Sequence, residues 1–216
     1  MNLDHIIQER IDEHLQVVGL LKNDSKFLTN LSEISNVITE CFKSGGKLLI
    51  CGNGGSAADS QHLATELVSR FFLERKALDA EALTVNASTL TAVANDYSFD
   101  KVFSRQLEAK GKEGDVLLAI STSGNSKNII EAIKAAKSIG IKTIGFAGNN
   151  RDSLICKMSD YYVSIPSNST PRIQEAHILL GHIICEIVER YLFEKGGCLI
   201  LPSKTERNHQ LATGRS

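Results

Sequence analysis

The chain has 216 residues, of which 42% are hydrophobic and 23% are charged, a composition typical of globular proteins and not of disordered or fibrous ones. Its formal net charge of -1 provides no basic field for nonspecific binding of DNA or RNA. No apolar stretch approaches the roughly 20 residues that cross a bilayer. We therefore expect a small-molecule partner, with no nucleic acid and no membrane involved.

The amino terminus and the cysteines bear on location. The first residues, Met1-Asn2-Leu3-Asp4-His5, lack the basic region and the apolar run of a signal peptide, which predicts a cytoplasmic protein. The five cysteines are an odd number without a CxxC pair, which argues against a disulfide framework and against a thiolate zinc site. We expect them to be reduced, most of them in the core.

Two amphipathic helices are predicted ahead of the sheet, within residues 2–44. Apolar residues recur at helical spacing over residues 3–22 and again over residues 28–41, after the break at Asn23-Asp24-Ser25. Such a pair either packs on the core or forms an interface between copies of the chain. The sequence leaves both roles open.

From Gly46 onward, short apolar strands alternate with helical segments, which is typical of βαβ units and a parallel sheet. The predicted strands are 47–51, 82–85, 116–120, 142–146 and 161–165, and the predicted helices are 56–71, 88–94, 100–110, 127–139, 152–158 and 171–194. The fold class is therefore α/β, a three-layer sandwich with a five-stranded parallel sheet of flavodoxin-like or Rossmann-like type. We expect one domain over residues 1–195 and a flexible tail over residues 196–216.

Two loops rich in glycine and serine follow the first and third predicted strands, at residues 52–57 and 121–126. Each collects backbone N–H groups, hydroxyls and the positive end of a helix dipole, an arrangement that suits phosphate. Both loops fall beyond the carboxyl ends of strands, where open parallel sheets bind ligands. Helix capping alone would account for Ser126 but not for the density of hydroxyls. The two loops predict a phosphorylated small molecule.

A nucleotide does not fit these loops. The first loop matches G-x-G-x-x-A, but the second strand leads into Asn86-Ala87-Ser88 without the carboxylate that would hold a ribose. The chain also has no G-x-x-x-x-G-K-[ST] motif. We predict no nucleotide cofactor and expect a compact phosphate monoester in the second loop.

Polar side chains beside the loops suggest a metal site. His62, Glu66 and Arg70 lie successively on one face of the predicted helix 56–71, where a surface ladder of ion pairs is the alternative. His62 and Glu66, four residues apart, could chelate a divalent metal, with Gln174 and His182 as further ligands from the last helix. Nitrogen and oxygen donors suit zinc or a similar ion.

The last helix limits how such a site could form. Gln174 and His182 are separated by about 12 Å along the helix axis, so their side chains must converge or come from different subunits. The helix is otherwise apolar from residue 173 to residue 188, which predicts burial. His177 is the candidate for a purely structural histidine in it.

With these motifs, the chain resembles the bacterial phosphoheptose isomerases of the sugar isomerase domain (SIS) superfamily over residues 3–192. The resemblance is carried by the segments 51–56 (CGNGGS), 62–67 (HLATEL), 94–97 (ANDY), 103–106 (FSRQ), 120–126 (ISTSGNS) and 172–177 (RIQEAH). It implies a homotetramer with active sites between subunits. It also implies conversion of sedoheptulose 7-phosphate into D-glycero-D-manno-heptose 7-phosphate, for the heptose of lipopolysaccharide or capsule.

The resemblance also implies roles for individual residues. Glu66 and His182 would be the catalytic pair, and one zinc per subunit would be bound by His62, Glu66, Gln174 and His182. Pro171 replaces an acidic residue that some family members carry, so a substrate contact there is lost. The residues that would contact substrate are Asn53, Gly54, Gly55, Ser56, Glu66, Arg70, Asn95, Asp96, Ser121, Thr122, Ser123, Ser126 and Gln174.

Two other functions remain open at this point. One keeps the chemistry but changes the substrate to a hexulose phosphate. The other is a noncatalytic SIS-domain protein that binds the bacterial replication initiator, which predicts a damaged catalytic set.

Overall fold

The computed structural model describes residues 2–194, with a five-stranded parallel sheet at the centre. The strands are β1 (Leu48–Gly52), β2 (Ala80–Ala82), β3 (Val116–Ser121), β4 (Lys142–Ala147) and β5 (Tyr161–Ser164), in the order β2-β1-β3-β4-β5. The helices are α1 (Leu3–Asn23), α2 (Ser25–Lys43), α3 (Gly55–Val68), α4 (Ala87–Asp96), α5 (Ser104–Lys110), α6 (Lys127–Ile139), α7 (Leu154–Met158) and α8 (Thr170–Phe193). The predicted fold class and the helical pair before the sheet are confirmed.

Side chains of the central strands β1 and β3 alternate between two apolar cores, one on each face of the sheet. In β1, Leu48 and Ile50 join the core that also contains residues of α1, α2, α3 and α8. Leu49 and Cys51 join the opposite core, with residues of α5, α6 and α7. Because both faces are covered, the central strands are continuous apolar runs, which made them recognisable in the sequence.

Two predicted boundaries differ from the structure around the second strand and the fifth helix. β2 spans Ala80–Ala82, not residues 82–85, because Leu83 turns into the core opposite α3 and Val85 is 57% exposed. The helix predicted over residues 100–110 is divided into a 3-10 turn at Phe99–Lys101 and α5. Between them, Val102 and Phe103 turn into the core, where both are buried.

α3 is shorter than predicted, because it ends at Val68 and not at residue 71. Beyond Val68, tertiary hydrogen bonds take the place of those that would continue the helix. The Arg75 guanidinium donates to carbonyl oxygens at the end of the helix, and the Glu189 carboxylate accepts from the N–H groups that follow it. Arg70 therefore lies outside the helix, and the prediction that it continues the face of His62 and Glu66 is wrong.

The two amino-terminal helices differ in burial. α2 packs on the core, with Ile34 and Ile38 fully buried, and its first turn is capped by Asp24, whose carboxylate accepts from two backbone N–H groups. α1 buries only Val17 and Leu21. Along α1 an apolar stripe with a four-residue repeat stays exposed in this protomer: Leu3, Ile7, Ile11 and Leu15.

His177 has the structural role predicted for it. Its side chain is buried against Phe146, and its Nε2 donates to the carbonyl oxygen of Ala147 at 3.2 Å. Burial lowers the pKa of His177 from 6.5 to about 4, although the hydrogen bond to Ala147 opposes the shift. The imidazole is therefore neutral in the folded protein near neutral pH.

This pKa predicts an acid-dependent loss of stability. Because the unfolded chain protonates His177 first, stability is fully present above about pH 6.5 and is lost as pH falls toward about pH 4, by about 3 kcal/mol in all. Urea unfolding of wild type and His177→Gln over this pH range measures the contribution. At neutral pH, His177→Gln is expected to be less stable than wild type. On acidification, it should lose less of its free energy of unfolding than wild type does. Equal losses in the two proteins would contradict the assignment.

Four cysteines, Cys41, Cys51, Cys156 and Cys185, are buried free thiols, as predicted. Cys198 and the predicted flexible tail, residues 196–216, lie outside the described residues. Within residues 2–194, no helix has both the length and the apolar character that crossing a membrane requires.

Candidate active site

The strand order brings the two glycine-rich and serine-rich loops together. β1 and β3 are neighbours in the sheet, with β2 on the other side of β1 and β4 on the other side of β3. The order of the strands therefore reverses between β1 and β3. In this pair Gly52 aligns with Ile120, and the two strands end side by side. A reversal of strand order is where open α/β sheets bind ligands. The loops that follow β1 and β3 share this position.

The first loop depends on its glycines for close packing. Gly54 precedes α3 with φ +56°, a left-handed value that glycine adopts readily. A Cβ on Gly52 would lie 2.4 Å from the backbone oxygen of Ser56, and a Cβ on Gly55 would lie 2.2 Å from Nε2 of Gln174. The loop is therefore tightly turned, and the Gln174 carboxamide of α8 lies directly against it.

An amide pair ties the first loop to the second. Asn53 Nδ2 donates to Asn128 Oδ1 at 2.9 Å, and Asn128 Nδ2 donates back to Asn53 Oδ1 at 2.9 Å. Asn128 lies in the first turn of α6 and is buried. The pairing fixes the relative position of the two loops, and sequence reasoning missed Asn128.

The second loop forms a cluster of hydroxyls. Ser121 Oγ lies 3.0 Å from Ser126 Oγ and 3.3 Å from Ser123 Oγ, and Gly124 turns the chain with φ +68°. Ser126 is the N-cap residue of α6, yet its side chain makes no capping hydrogen bond. Its hydroxyl belongs to the cluster instead, at the positive end of the α6 dipole.

A triad of side chains that could hold a metal ion lies where α3 and α8 meet. His62 Nε2 is 2.8 Å from His182 Nε2 and 3.3 Å from Glu66 Oε1. One donor atom from each of the three residues lies within 4.8 Å of the others. His62 is exposed, whereas Glu66 and His182 are half-buried.

A glycine allows this close approach of the two helices. A Cβ on Gly181 would lie 2.5 Å from Cδ2 of Leu63. Leu63 and Gly181 each directly adjoin a triad histidine in the chain. The small residue before His182 was the sequence signal for this contact, and it was not recognised.

The triad suits a zinc ion by its donor chemistry. Donor atoms of a tetrahedral zinc site lie roughly 3.3 Å apart for metal–ligand bonds near 2.0 to 2.2 Å. Two spacings in the triad are 2.8 and 3.3 Å, and all three donor atoms lie within 4.8 Å of one another. Two imidazole nitrogens and one carboxylate oxygen are also a common ligand set for catalytic zinc.

A further carboxyl lies one turn before His62. Oδ2 of Asp59 is buried and has no hydrogen-bond partner among the described residues. Burial raises the pKa of Asp59 to about 6, and the neighbouring His62 opposes the shift. Asp59 is therefore partly protonated at a pH just below neutrality.

Comparison with known proteins agrees with this geometry. The SIS domain model matches residues 20–148. The phosphoheptose isomerase of Clostridium acetobutylicum is 50% identical over 193 residues, which are 88% of this chain and 97% of that protein. The chain belongs to the phosphoheptose isomerase family of SIS-domain proteins.

Solved structures of this family share the fold. The phosphoheptose isomerase of Francisella tularensis matches with a TM-score of 0.83 and 33% identity, over 88% of this chain and 100% of that one. The enzyme of Neisseria gonorrhoeae matches with a TM-score of 0.81 and 38% identity, over 87% and 99%. The chain therefore shares the architecture of these phosphoheptose isomerases as well as their sequence.

Some residues that the family resemblance singled out have no hydrogen bond or ion pair with the triad within the described residues. Asn95 and Asp96 end α4, where they are exposed and hydrogen-bond to each other at 2.8 Å. Arg70 is exposed and pairs with Glu74 at 3.5 Å. Ser56 lies in the first turn of α3 but is buried. Their substrate contacts stay predictions.

Two charged residues that the motifs did not indicate are buried near this phosphoheptose isomerase site. Arg75 and Glu189 form an ion pair at 2.9 Å with side chains that are each 1% exposed. Glu189 directly follows the apolar part of the last predicted helix, and this was the only signal in the sequence. Only the fold reveals its partner.

Proposed function

We propose that this protein isomerises sedoheptulose 7-phosphate to D-glycero-D-manno-heptose 7-phosphate, which supplies heptose for surface polysaccharide. One observation carries the proposal: Glu66 and His182 meet in the triad while Gln174, on the same helix as His182, lies against the glycine loop. The groups that we assign as base and acid thus lie together, and α8 connects them to a loop that we assign to phosphate.

The reaction moves a carbonyl from C2 to C1 of the sugar. We assign the Glu66 carboxylate as the base that removes a proton from C1, which leaves an enediol, and that returns a proton to C2. His182 would take the proton from one sugar oxygen and give it to the other, because imidazole has both a proton-donating and a proton-accepting nitrogen. The product has the same atoms as the substrate, and both groups end in their starting protonation states.

The hydroxyl cluster suits the phosphate at the other end of the sugar. The Ser121 hydroxyl lies within hydrogen-bond distance of the hydroxyls of both Ser123 and Ser126, and the loop 121–126 contains no basic side chain. Neutral donors and a helix amino terminus bind a phosphate monoester. Thr122 lies in the same loop. Asn53, Gly54 and Gly55, in the other loop, would line the opposite side of the proposed phosphate site.

We infer that the metal is zinc, one per subunit, held by His62, Glu66, Gln174 and His182. The first, second and fourth of these residues form the triad, and Gln174 is more than two helical turns from His182 along α8, at Gly55. A bound zinc would stabilise negative charge on the oxygens of the enediolate. No nucleotide cofactor is required for this chemistry.

The contact between Gly55 and Gln174 gives a test of the loop. Gly55→Ala is expected to keep stability within about 1 kcal/mol of wild type, because the flexible end of Gln174 can move, but to weaken zinc binding and turnover by about 10-fold or more. Gly52→Ala is the matched control. Its Cβ meets backbone, so it is expected to lower the free energy of unfolding by about 1 to 3 kcal/mol. Urea unfolding and zinc titration distinguish the two, and a Gly55→Ala protein with wild-type zinc affinity would contradict the role of Gln174.

We further propose a homotetramer with active sites completed between subunits. The exposed stripe on α1 supports an interface there, since monomers rarely leave such a repeat uncovered. In such an assembly, exposed polar groups such as Asn95 and Asp96 would contribute to the site of a neighbouring copy. Sedimentation should give a tetramer for wild type and for Gln8→Glu, and smaller species for Ile7→Glu combined with Ile11→Glu.

We place this activity in the cytoplasm, because a doubly charged sugar phosphate does not cross a bilayer unaided. The noncatalytic alternative predicted a damaged catalytic set, and the triad is intact. No observation favours binding of the replication initiator.

NMR spectroscopy tests the proposed reaction directly. The protein should convert sedoheptulose 7-phosphate to the aldose, with new anomeric signals, and should act more slowly on fructose 6-phosphate. Absence of turnover both with and without added zinc would reject the proposal. Faster conversion of fructose 6-phosphate would mean that a hexulose phosphate, and not sedoheptulose 7-phosphate, is the substrate.

A further inference from the structure

The buried carboxylate of Glu189 is fully used in holding the segment that follows α3. It accepts from the backbone N–H groups of Phe71, Phe72 and Leu73 and from Nε of Arg75, at 2.7 to 3.0 Å. Burial alone would raise the pKa of Glu189, but these four donors outweigh it and lower the pKa. The carboxylate is ionised and has no hydrogen-bonding capacity left to spare.

Arg75 completes this arrangement from the other side. Its guanidinium donates to the carbonyl oxygens of Glu66 at 2.9 Å, Leu67 at 2.7 Å and Ser69 at 2.9 Å. The last carbonyls of a helix have no partners within the helix and need other donors when they are buried. Arg75 therefore caps α3 at the turn that carries the proposed base.

The pair contacts the triad through two separate routes. Arg75 binds the backbone of Glu66 itself. Glu189 binds the backbone of Phe71, whose ring lies 5.7 Å from the ring of His182. His182 and Glu189 are seven residues apart on α8, two helical turns on the same face. One buried ion pair thus restrains both the helix end with Glu66 and the aromatic surface behind His182.

We propose that Arg75 and Glu189 are positioning residues for Glu66 and His182. The inference rests on the proposed function, and it adds two residues that touch neither substrate nor metal. Metal ligands and general bases lose effectiveness when they are displaced by as little as about 1 Å. A merely stabilising pair would affect folding but leave the folded site unchanged, and this difference can be measured.

The test compares Glu189→Gln with a matched buried carboxylate at the opposite end of the sheet. Asp115 is also buried and accepts backbone N–H groups, from Lys47 at 3.0 Å and Lys112 at 2.9 Å. It lies just before β3, away from the strand ends that carry the site. Asp115→Asn therefore makes the same chemical change without a connection to the triad.

Each full-length protein is assayed at a temperature well below its own thermal midpoint. Glu189→Gln is expected to lower kcat by about 10- to 100-fold, with KM nearly unchanged because the pair does not contact the serine loop. Zinc affinity, measured by competition with a chelator, is expected to weaken by about 10- to 100-fold. Amide hydrogen exchange should also become faster across residues 69–75. Asp115→Asn should retain wild-type kcat and zinc affinity.

A second variant covers the case in which Glu189→Gln does not fold. Arg75→Lys keeps the positive charge, but its three N–H donors cannot replace the contacts of the guanidinium to Glu189 and three carbonyls, so it should show the same changes at smaller amplitude. Folded Glu189→Gln or Arg75→Lys protein that matches Asp115→Asn in both kcat and zinc affinity would overturn the inference. Wild type without turnover and without zinc binding would instead reject the proposed function, and this inference with it.

Discussion

Glu66→Gln is expected to bind sedoheptulose 7-phosphate but to isomerise it about 10²- to 10⁴-fold more slowly than wild type, because the carboxamide cannot accept the proton from C1. The substitution keeps the size of the side chain on a helix whose core contacts come from other residues, so the fold should persist. The anomeric NMR signals of the aldose measure the rate.

Proton exchange gives a second measurement for this variant. In D₂O the wild-type enzyme should exchange the carbon-bound proton that Glu66 removes, and Glu66→Gln should lose this exchange together with turnover. Glu40→Gln, an exposed carboxyl at the end of α2 that pairs with Lys43, is the control and should match wild type. Undiminished exchange in Glu66→Gln would show that another group is the base.

His182→Gln is expected to reduce kcat more than His62→Gln does, by a further factor of about 10². Both substitutions remove one imidazole from the triad, so both should weaken zinc binding. Only His182 is assigned the transfer of protons between the sugar oxygens. Comparison of the two variants at saturating zinc therefore separates the acid from the metal ligand.

The pH profile provides an independent check on this assignment. The limb of the kcat profile that reports the acid should disappear in His182→Gln and remain in His62→Gln. Equal kcat values and equal profiles for the two variants would mean that His182 acts only as a ligand. The assignment of the acid would then have to move to another group.

Much of the fold could be predicted because its signals are local. Apolar runs marked β1, β3 and β4, since strands buried on both faces need apolar residues throughout. The two loops were recognisable by glycines that permit left-handed φ, as Gly54 and Gly124 confirm. Errors arose where tertiary contacts outweighed the local pattern, as at Leu83 and Val85, whose apolar character predicted strand in a segment that turns away from the sheet.

Part of the site was equally readable. His62 and Glu66 are four residues apart on one helix, so any helical conformation brings them together. The distance from these two residues to His182 was not readable, because it depends on how closely two helices pack. That packing is decided at Gly181 and Leu63, which are distant in the chain.

By itself, the sequence determined the parallel α/β fold, the positions of the two glycine-rich and serine-rich loops and the pairing of His62 with Glu66, because each depends on residues that are neighbours in the chain. Only the tertiary structure decided where α3 ends, how closely His182 approaches His62 and what holds Arg75 and Glu189 in the interior. These outcomes depend on hydrogen bonds and helix contacts between residues more than 100 positions apart. Such contacts form only when the whole sheet brings its helices into place.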